Sequence, residues 1–151
     1  MDFAEIGPNS VVWDLYAGTG TITLFLAQKA KEVIGFEVVE SAVADARKNA
    51  VEHGVKNVRF VQGDLLKTLP HTEPLPQAII TDPPRSGMHE KVLRLINYLA
   101  PEHMVYVSCN PTTLARDLKI LNERYRVEKV QPVDMFPQTY HIETVVKLKR
   151  R

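Results

Sequence analysis

Short apolar runs alternate with stretches of helical periodicity along most of the chain. These runs predict seven strands, at residues 11–15, 32–36, 58–61, 78–81, 104–107, 126–133 and 142–148. Amphipathic periodicity between them predicts helices at residues 21–31, 41–53, 90–99 and 112–124. Such alternation predicts an α/β fold of the Rossmann-like kind, a mostly parallel sheet with helices on both faces. No helix is predicted between the last two strands, so we expect one of them to run antiparallel.

Local signals predict where some of these elements begin and end. Ser41 is expected to be the N-cap of the second helix, and Gly54 is expected to end it. Three prolines between positions 70 and 76 predict an exposed loop over residues 71–77.

Composition and charge narrow the class of protein. The chain has 151 residues, enough for one domain with a sizeable core, and its net charge of +1 does not indicate a polyanion partner. A single cysteine excludes an intrachain disulfide and a cysteine-rich zinc site, and is typical of a reducing compartment. No signal-peptide pattern is present, and no apolar run approaches the roughly 20 residues that cross a bilayer. We therefore expect a cytoplasmic protein that needs no metal.

The segment 14–20, Asp-Leu-Tyr-Ala-Gly-Thr-Gly, joins the first strand to the first helix. Gly18 and Gly20 allow a tight turn and the close approach of a ligand to the backbone. The dinucleotide fingerprint requires glycine or alanine where Thr23 stands, which argues against NAD. Asp14 favours a cationic or amine-bearing ligand over a diphosphate. A plain strand–helix turn is the alternative interpretation.

Two more acidic residues follow the next two strands. Glu37 is 17 positions beyond Gly20, close to the spacing of an acid that binds ribose hydroxyls. Asp64 follows the third strand, where a carboxylate can accept a hydrogen bond from an adenine amino group. Each acid alone is typical of a solvated loop. Because the carboxyl ends of parallel strands line one crevice, the three acids together indicate a site for adenosine without phosphates, as in S-adenosylmethionine.

Candidate catalytic residues follow the fourth and fifth strands. In Asp82-Pro83-Pro84-Arg85, two prolines stiffen the loop and remove two N–H donors, so its carbonyls can face a substrate. Cys109 follows the fifth strand, where an α/β enzyme would hold a nucleophile. The alternatives are a rigid loop and a buried thiol that packs as a small apolar group.

Glu143 begins the last predicted strand, between Ile142 and Val145. A carboxylate in this setting is partly buried and suited to proton abstraction, whereas the alternative is a surface acid on an edge strand. His141 is interpreted as a packing or hydrogen-bonding residue rather than a metal ligand, because no second ligand stands at metal spacing.

Four motifs occur in the order found in one enzyme family. They are the segment 14–20, Asp-Pro-Pro-Arg at 82–85, Ser-Cys-Asn-Pro at 108–111 with Thr-Leu-Ala-Arg-Asp at 113–117, and Asp-Met-Phe-Pro at 134–137 with His-Ile-Glu at 141–143. The chain resembles the catalytic domain of the RNA uracil-C5 methyltransferases, which form 5-methyluridine in tRNA and rRNA. The resemblance implies the class I methyltransferase fold and S-adenosylmethionine as the cofactor.

The resemblance also implies roles for individual residues. Cys109 would add to C6 of uracil, Glu143 would remove the C5 proton, and Asp82 would lie beside the cofactor and the target base. The implied cofactor-contacting residues are Tyr16, Thr21, Glu37 and Asp64, with Gly18 and Gly20 shaping the loop.

The chain departs from the family in its length. The resemblance implies an upstream segment with a cofactor-contacting glutamine and a small β-barrel domain that binds RNA, and this sequence contains neither. We expect residues 1–151 to form one catalytic domain, which would use an RNA-binding domain or chain from elsewhere. Basic residues gather late in the sequence, in a run more typical of a solvated face than of RNA contact: Arg116, Lys119, Arg124, Arg126, Lys129, Lys147, Lys149, Arg150 and Arg151.

Two other functions remain open at this stage. An RNA cytosine-C5 methyltransferase also has a cysteine after the fifth strand, but usually pairs it with a second cysteine after the Asp-Pro motif. A domain that binds S-adenosylmethionine, but is inactive without a substrate-binding partner, would carry the same loop and acids.

Overall fold

A computed structural model describes residues 3–135, 137–139 and 142–151. Within these ranges the chain forms seven strands and five α-helices in the predicted alternating order. The strands are β1 Val11–Leu15, β2 Glu32–Glu37, β3 Val58–Gln62, β4 Ala78–Thr81, β5 His103–Ser108, β6 Tyr125–Val133 and β7 Glu143–Arg150. The helices are α1 Thr21–Ala27, α2 Glu40–Glu52, α3 Leu65–Thr68, α4 Glu90–Leu99 and α5 Pro111–Leu121, with a short 3-10 helix at Leu69–His71.

The strands form one sheet in the order β3-β2-β1-β4-β5-β7-β6. The first five strands pair in parallel, and β7 pairs antiparallel with both β5 and β6. The predicted mostly parallel sheet with one reversed strand is therefore confirmed. From β1, the next strands in the sequence are added first on one side, as β2 and β3, and then on the other, as β4 and β5. This change of side opens a crevice outside the carboxyl ends of the strands.

Successive residues of β1 enter two different cores. Trp13 packs in the larger core with apolar residues of α4 and α5, whereas Val12 packs in a second core with Leu26 and Ala27 of α1. A third cluster joins Phe60 of β3 to the buried side of α2. Helices thus cover both faces of the sheet, as the period-2 alternation of strand side chains requires.

Four local predictions need correction. The first helix ends at Ala27 rather than residue 31, and α5 ends at Leu121 rather than residue 124. Ser41 is not the N-cap of α2, because the helix begins one residue earlier and Val39 is the cap residue. The segment 71–77 is not wholly exposed, since Thr72 and Pro76 are buried.

Two other local features have clear physical causes. The predicted stop at Gly54 is confirmed by its φ of 65° and by paired bonds, from Gly54 N to Val51 O and from Val55 N to Ala50 O. Segment 71–77 is held inward because the indole N–H of Trp13 donates to the Pro74 carbonyl at 3.2 Å.

No helix in the described part of the chain is long and apolar enough to span a membrane.

Candidate active site

The register of the parallel strands aligns the predicted cofactor residues along one edge of the sheet. Leu15 is level with Phe36 of β2 and with Thr81 of β4, so the residues that follow, Tyr16, Glu37 and Asp82, lie side by side. Glu37 is also level with Gln62 of β3, two residues before Asp64. The predicted convergence of strand-end acids at this edge therefore follows from the pairing itself.

Glu37 organises the backbone around it. Its Oε2 atom accepts a hydrogen bond from the Gly18 amide at 2.9 Å, and its Oε1 atom accepts from the amides of Val38 and Val39 at 2.8 and 2.9 Å. The carboxylate thereby ties the glycine loop to the start of α2. Oε1 already accepts two hydrogen bonds, so Oε2 is the oxygen with which Glu37 can still accept from a ligand.

The loop 16–20 has the backbone conformation that its glycines predict. Tyr16, Gly18 and Gly20 have φ angles of 65°, 53° and 86°. A Cβ atom at Gly20 would lie 2.9 Å from Cζ of Phe60, whereas a Cβ at Gly18 would meet nothing within 4 Å. Gly20 therefore serves close packing against β3, and Gly18 leaves open space beside the amide that contacts Glu37.

A cavity of about 370 Å³ lies at this edge. Its wall includes Tyr16, Glu37, Asp64, Leu65 and His89. Asp64 caps α3 through a 2.7 Å bond from the Leu66 amide to its Oδ1 atom. Burial, together with the charges of Asp117 and Asp64, raises the pKa of Tyr16 to about 12, so its phenol remains a donor at neutral pH.

Three of the predicted cofactor residues, Tyr16, Glu37 and Asp64, line this cavity, whereas the other five do not: Asp14, Gly18, Gly20, Thr21 and Asp82. Asp14 is only 1% exposed, and its Oδ2 atom accepts a 2.6 Å hydrogen bond from Thr23 Oγ1. Burial first, and then the charges of Asp82 and Glu37, raise the pKa of Asp14 to about 7 despite that bond. Thr21 is exposed and lines a separate depression between α1 and α2, with Phe25 and Asn49.

The antiparallel pairing of β5 with β7 brings the other two candidates together. Ser108, the last residue of β5, is level with Thr144, so the next residues outward are Cys109 and Glu143. Cys109 and Glu143 are both half-buried, and Cys109 is a free thiol.

Asp82 belongs to the same group of side chains. The residue is exposed at the surface, yet the surrounding protein removes part of the hydration of its carboxyl. This desolvation, and then the negative charge of Glu143, raise the pKa of Asp82. Asp82 follows β4 and Glu143 begins β7, and both strands flank β5, so the two carboxyls lie at the same end of the sheet.

Hydrogen bonds of the neighbouring residues fix the backbone that carries Cys109. Ser108 Oγ donates to the Asn110 carbonyl at 3.0 Å and accepts from the Asn110 amide at 3.1 Å. Asn110 caps α5, since its Oδ1 atom accepts from the Thr112 amide at 3.0 Å. The backbone at Cys109 is therefore fixed on one side by the end of β5 and on the other by the capped start of α5.

Part of the last predicted motif lies outside the described residues. Phe136 and His141 are not described, so the interpretation of His141 stays a prediction. In the part of the chain that the structure describes, no group of three His, Cys, Asp or Glu side chains could hold a metal ion.

Family models match nearly the whole of this fold. The one described as tRNA (uracil-5-)-methyltransferase matches residues 64–151, which contain the Asp82 loop, Cys109 and Glu143. The chain belongs to this family. A general methyltransferase-domain model matches residues 12–82, the half that carries the glycine loop and Glu37.

Relatives and solved structures agree with this membership. An uncharacterized RNA methyltransferase of Chlorobaculum tepidum is 54% identical over 151 residues, covering 96% of this chain and 31% of its own length. Another from Bacteroides thetaiotaomicron is 47% identical over 154 residues, covering 99% of the chain and 34% of its own length. The chain thus spans about a third of the curated relatives that it matches.

A solved structure extends the likeness to a ligand complex. The crystal structure of Pyrococcus abyssi tRNA (uracil-54, C5)-methyltransferase with S-adenosyl-L-homocysteine superposes with a TM-score of 0.83. The two are 36% identical, and the match covers 95% of this chain and 35% of that one. The class I methyltransferase fold and membership of an S-adenosylmethionine-dependent family are thereby established for this chain.

The crevice of this family member has the chemistry that an adenosine-bearing sulfonium ligand requires. The carboxylates of Glu37 and Asp64 can accept hydrogen bonds from hydroxyl and amino groups, and Leu65 and Val92 supply apolar walls. The carboxylates of this lining also disfavour a diphosphate.

The sequence did not single out the most heavily bonded carboxylate near this site. Asp117 is fully buried, and its oxygens accept from Tyr106 Oη at 2.7 Å, from the Met88 amide at 2.8 Å and from Arg116. The sequence did contain a sign of this network, because Asp117 lies on the apolar face of α5 with Leu114 and Leu121. An acid on a buried helix face requires partners, which pointed to a polar network there.

Proposed function

We propose that this chain transfers a methyl group from S-adenosylmethionine to C5 of a uridine in tRNA or rRNA through a covalent bond from Cys109 to C6. The observation that carries the proposal is the strand register that makes Cys109 and Glu143 neighbours beside the Asp82 loop. A nucleophile and a base on adjacent backbone positions are the minimum that this reaction requires.

The cofactor would lie along the carboxyl edge of β1, β2 and β3. Glu37 would accept hydrogen bonds from the ribose hydroxyls, and Asp64 would accept from the adenine amino group. Tyr16, whose φ is positive, would lie between this cavity and the Asp82 loop. Buried Asp14 would act indirectly, by fixing Thr23 beneath the glycine loop, and Thr21 is the least supported of the predicted contacts. When bound, S-adenosylmethionine supplies the electrophilic methyl group that C5 receives.

The thiolate of Cys109 would make C5 nucleophilic. It forms the S–C6 bond, and the electron pair of the C5–C6 double bond moves to C5 and O4 as an enolate. Asp82 would hold the target base beside this thiolate. After C5 has been methylated, the ring is saturated at C5 and C6 and remains bound to the protein.

Glu143 would complete the reaction by taking the proton from C5. The electron pair of that C–H bond restores the C5–C6 double bond, the S–C6 bond breaks, and the thiolate of Cys109 is regenerated. Atoms and charges balance with one thiolate and one carboxylate.

Recognition of the RNA would draw on a further domain or chain. Several of the late basic residues make internal contacts: Lys147 pairs with Glu5 and Glu128, Arg150 donates to Ala100 O, and Arg151 donates to Asn122. The small net charge likewise supports a catalytic domain that relies on another module for most phosphate contacts.

Nucleoside mass spectrometry tests the proposal directly. RNA is incubated with the chain and with S-adenosylmethionine that carries an isotopic label in its methyl group, and the labelled nucleosides are identified. Labelled 5-methyluridine supports the proposal, and labelled 5-methylcytidine supports the cytosine-C5 alternative. Calorimetric binding of cofactor, with methyl transfer only when a substrate-binding domain is also supplied, supports the binding-module alternative. Cys109→Ser is the matched control, because it removes the thiolate and keeps a side chain of similar size.

A further inference from the structure

Side chains on one face of α5 bind the backbone of the loop that joins β4 to α4, residues 82–89. Asn110 Nδ2 and Thr113 Oγ1 both donate to the Arg85 carbonyl at 3.1 Å. One turn later, Arg116 Nη2 donates to the carbonyls of Ser86 and Met88 at 2.9 and 3.2 Å. The loop is thus bound to the helix that begins two residues after Cys109.

Arg116 itself is aimed by the buried carboxylate of Asp117. Arg116 Nε and Nη2 both donate to Asp117 Oδ1, at 2.9 and 2.7 Å, so two charge-assisted bonds to one oxygen orient the guanidinium. The other oxygen, Oδ2, accepts from the Met88 amide at 2.8 Å and from Tyr106 Oη at 2.7 Å. One carboxylate therefore joins the loop, α5 and the centre of β5.

Gly87 shows how tightly this contact is made. Its φ is 74°, and a Cβ atom there would lie 2.6 Å from Arg116 Nη2 and 2.7 Å from Asp117 Oδ2. A side chain would therefore collide with the ion pair and strain the backbone as well. The loop approaches Arg116 and Asp117 as closely as backbone can.

We propose that Arg116 and Asp117 form a positioning pair, which holds the Asp82 loop at a fixed distance from Cys109. The inference rests on the proposed function, in which that loop presents the target base to the thiolate. The pair touches no reacting atom in this proposal. It acts by making the loop after β4 and the start of α5 one rigid unit, because loosely held reacting groups lose much of their rate.

Two variants of the same network separate positioning from stability. Arg116→Met removes the guanidinium, keeps an unbranched side chain, and frees the Ser86 and Met88 carbonyls. Tyr106→Phe is the matched control, because it removes one bond to Asp117 from the strand side and leaves every loop contact in place. Both variants leave a buried carboxylate one partner short, so both should lower the melting temperature.

Cys109 supplies a readout that does not depend on methyl transfer, because it is the only cysteine in the chain. Well below the melting temperature, iodoacetamide should alkylate Cys109 roughly five-fold faster in Arg116→Met, since the loop beside Asn110 opens more often. The Met88 amide should also exchange with deuterium faster. Tyr106→Phe should stay within about two-fold of the unaltered chain in both measurements.

Single-turnover methyl transfer at saturating cofactor gives the second readout. Arg116→Met should lose about ten-fold or more in rate, Arg116→Lys should recover part of it, and Tyr106→Phe should retain it. Equal changes in Arg116→Met and Tyr106→Phe, or unchanged alkylation in Arg116→Met, would overturn the positioning role. If the unaltered chain transfers no methyl group while alkylation separates the variants as expected, the positioning pair stands and the proposed function fails.

Discussion

Ser108 of β5 lies level with Thr144 of β7, and this pairing sets the geometry of the candidate active site. Because the strands run in opposite directions, the next residue outward on one side is Cys109 and on the other is Glu143. The two residues are 34 positions apart in the sequence, yet this register brings both to the same end of two adjacent strands. A shift of one residue would turn Glu143 to the opposite face of the sheet.

The first prediction concerns the two proposed catalytic residues. With RNA that contains 5-fluorouridine at the target, the unaltered chain should form a stable protein–RNA adduct, because fluorine cannot leave as a cation. Cys109→Ala should form neither adduct nor product. Glu143→Gln should accumulate adduct with ordinary uridine, since methylation can proceed but the C5 proton is not removed. Denaturing gel electrophoresis measures the adduct.

The contrast between these variants provides the control. Full turnover by Cys109→Ala, with any required RNA-binding domain supplied, would return Cys109 to a packing role. If Glu143→Gln methylates uridine without accumulating adduct, a residue other than Glu143 removes the C5 proton.

The second prediction concerns cofactor affinity. Glu37→Ala should weaken binding of S-adenosyl-L-homocysteine about 10- to 100-fold, because hydrogen bonds to a charged acceptor contribute roughly 1.5–3 kcal/mol. Thr21→Ala should bind as the unaltered chain does, since Thr21 lines the separate depression between α1 and α2. Isothermal titration calorimetry measures both. If the two variants bind S-adenosyl-L-homocysteine with equal affinity, Glu37 does not contact the cofactor.

The third prediction concerns the pH dependence of stability. The pKa of Asp14 is about 7 in the folded protein, against 3.8 for an unperturbed carboxyl, mainly because the group is buried. The folded state therefore binds a proton more tightly than the unfolded state does. As the pH rises from about 4 to about 7, this group lowers the free energy of unfolding by on the order of 4 kcal/mol.

Asp14→Asn should remove that loss. The variant should gain stability relative to the unaltered chain as the pH rises from 5 to 8, measured by urea denaturation. Asp45→Asn, an exposed position on α2, serves as the control and should leave the pH profile unchanged. A difference between Asp14→Asn and the unaltered chain that is the same at every pH would contradict the assignment.

The fourth prediction compares two glycines of one loop. Gly18→Ala adds a side chain at positive φ in open space, which should cost about 1–2 kcal/mol of stability. Gly20→Ala carries the same conformational cost and also brings a Cβ atom to 2.9 Å from Phe60. It should therefore lose about 1–3 kcal/mol more, measured as the free energy of unfolding. An equal loss in both variants would show that Phe60 moves aside freely.

Elements set by local periodicity could be predicted from the sequence, and elements set by distant partners could not. Strand 78–81 and helix 90–99 match the structure to the residue, because their apolar patterns and flanking residues agree. The start of α2 does not match the prediction. The backbone amides of Val38 and Val39 donate to the side chain of Glu37, and the helix has no capping side chain of its own at Ser41. Segment 71–77 is partly buried because Trp13, some 60 positions earlier, holds it.

The same distinction applies to the site. Acids at strand ends could be predicted to converge, since parallel strands share one carboxyl edge. The burial of Asp14 beneath the loop could not, because it depends on Thr23 of α1 turning inward to meet it. The four-fold hydrogen bonding of Asp117 likewise needed the fold, since its partners come from β5, the loop after β4 and α5.

The place of β7 in the sheet divides the candidate site into two halves. β7 follows β6 in the sequence but lies between β5 and β6, so the β6–β7 hairpin joins the parallel strands only through the pairing of β7 with β5. The five parallel strands, which carry the glycine loop, Glu37 and Asp64, pair without it. A chain whose hairpin has undocked would keep the residues proposed to hold the cofactor, yet Cys109 would lose Glu143 as a neighbour. The proposed cofactor site and the proposed catalytic pair thus rest on different parts of the sheet, and loss of hairpin docking would remove the second while leaving the first.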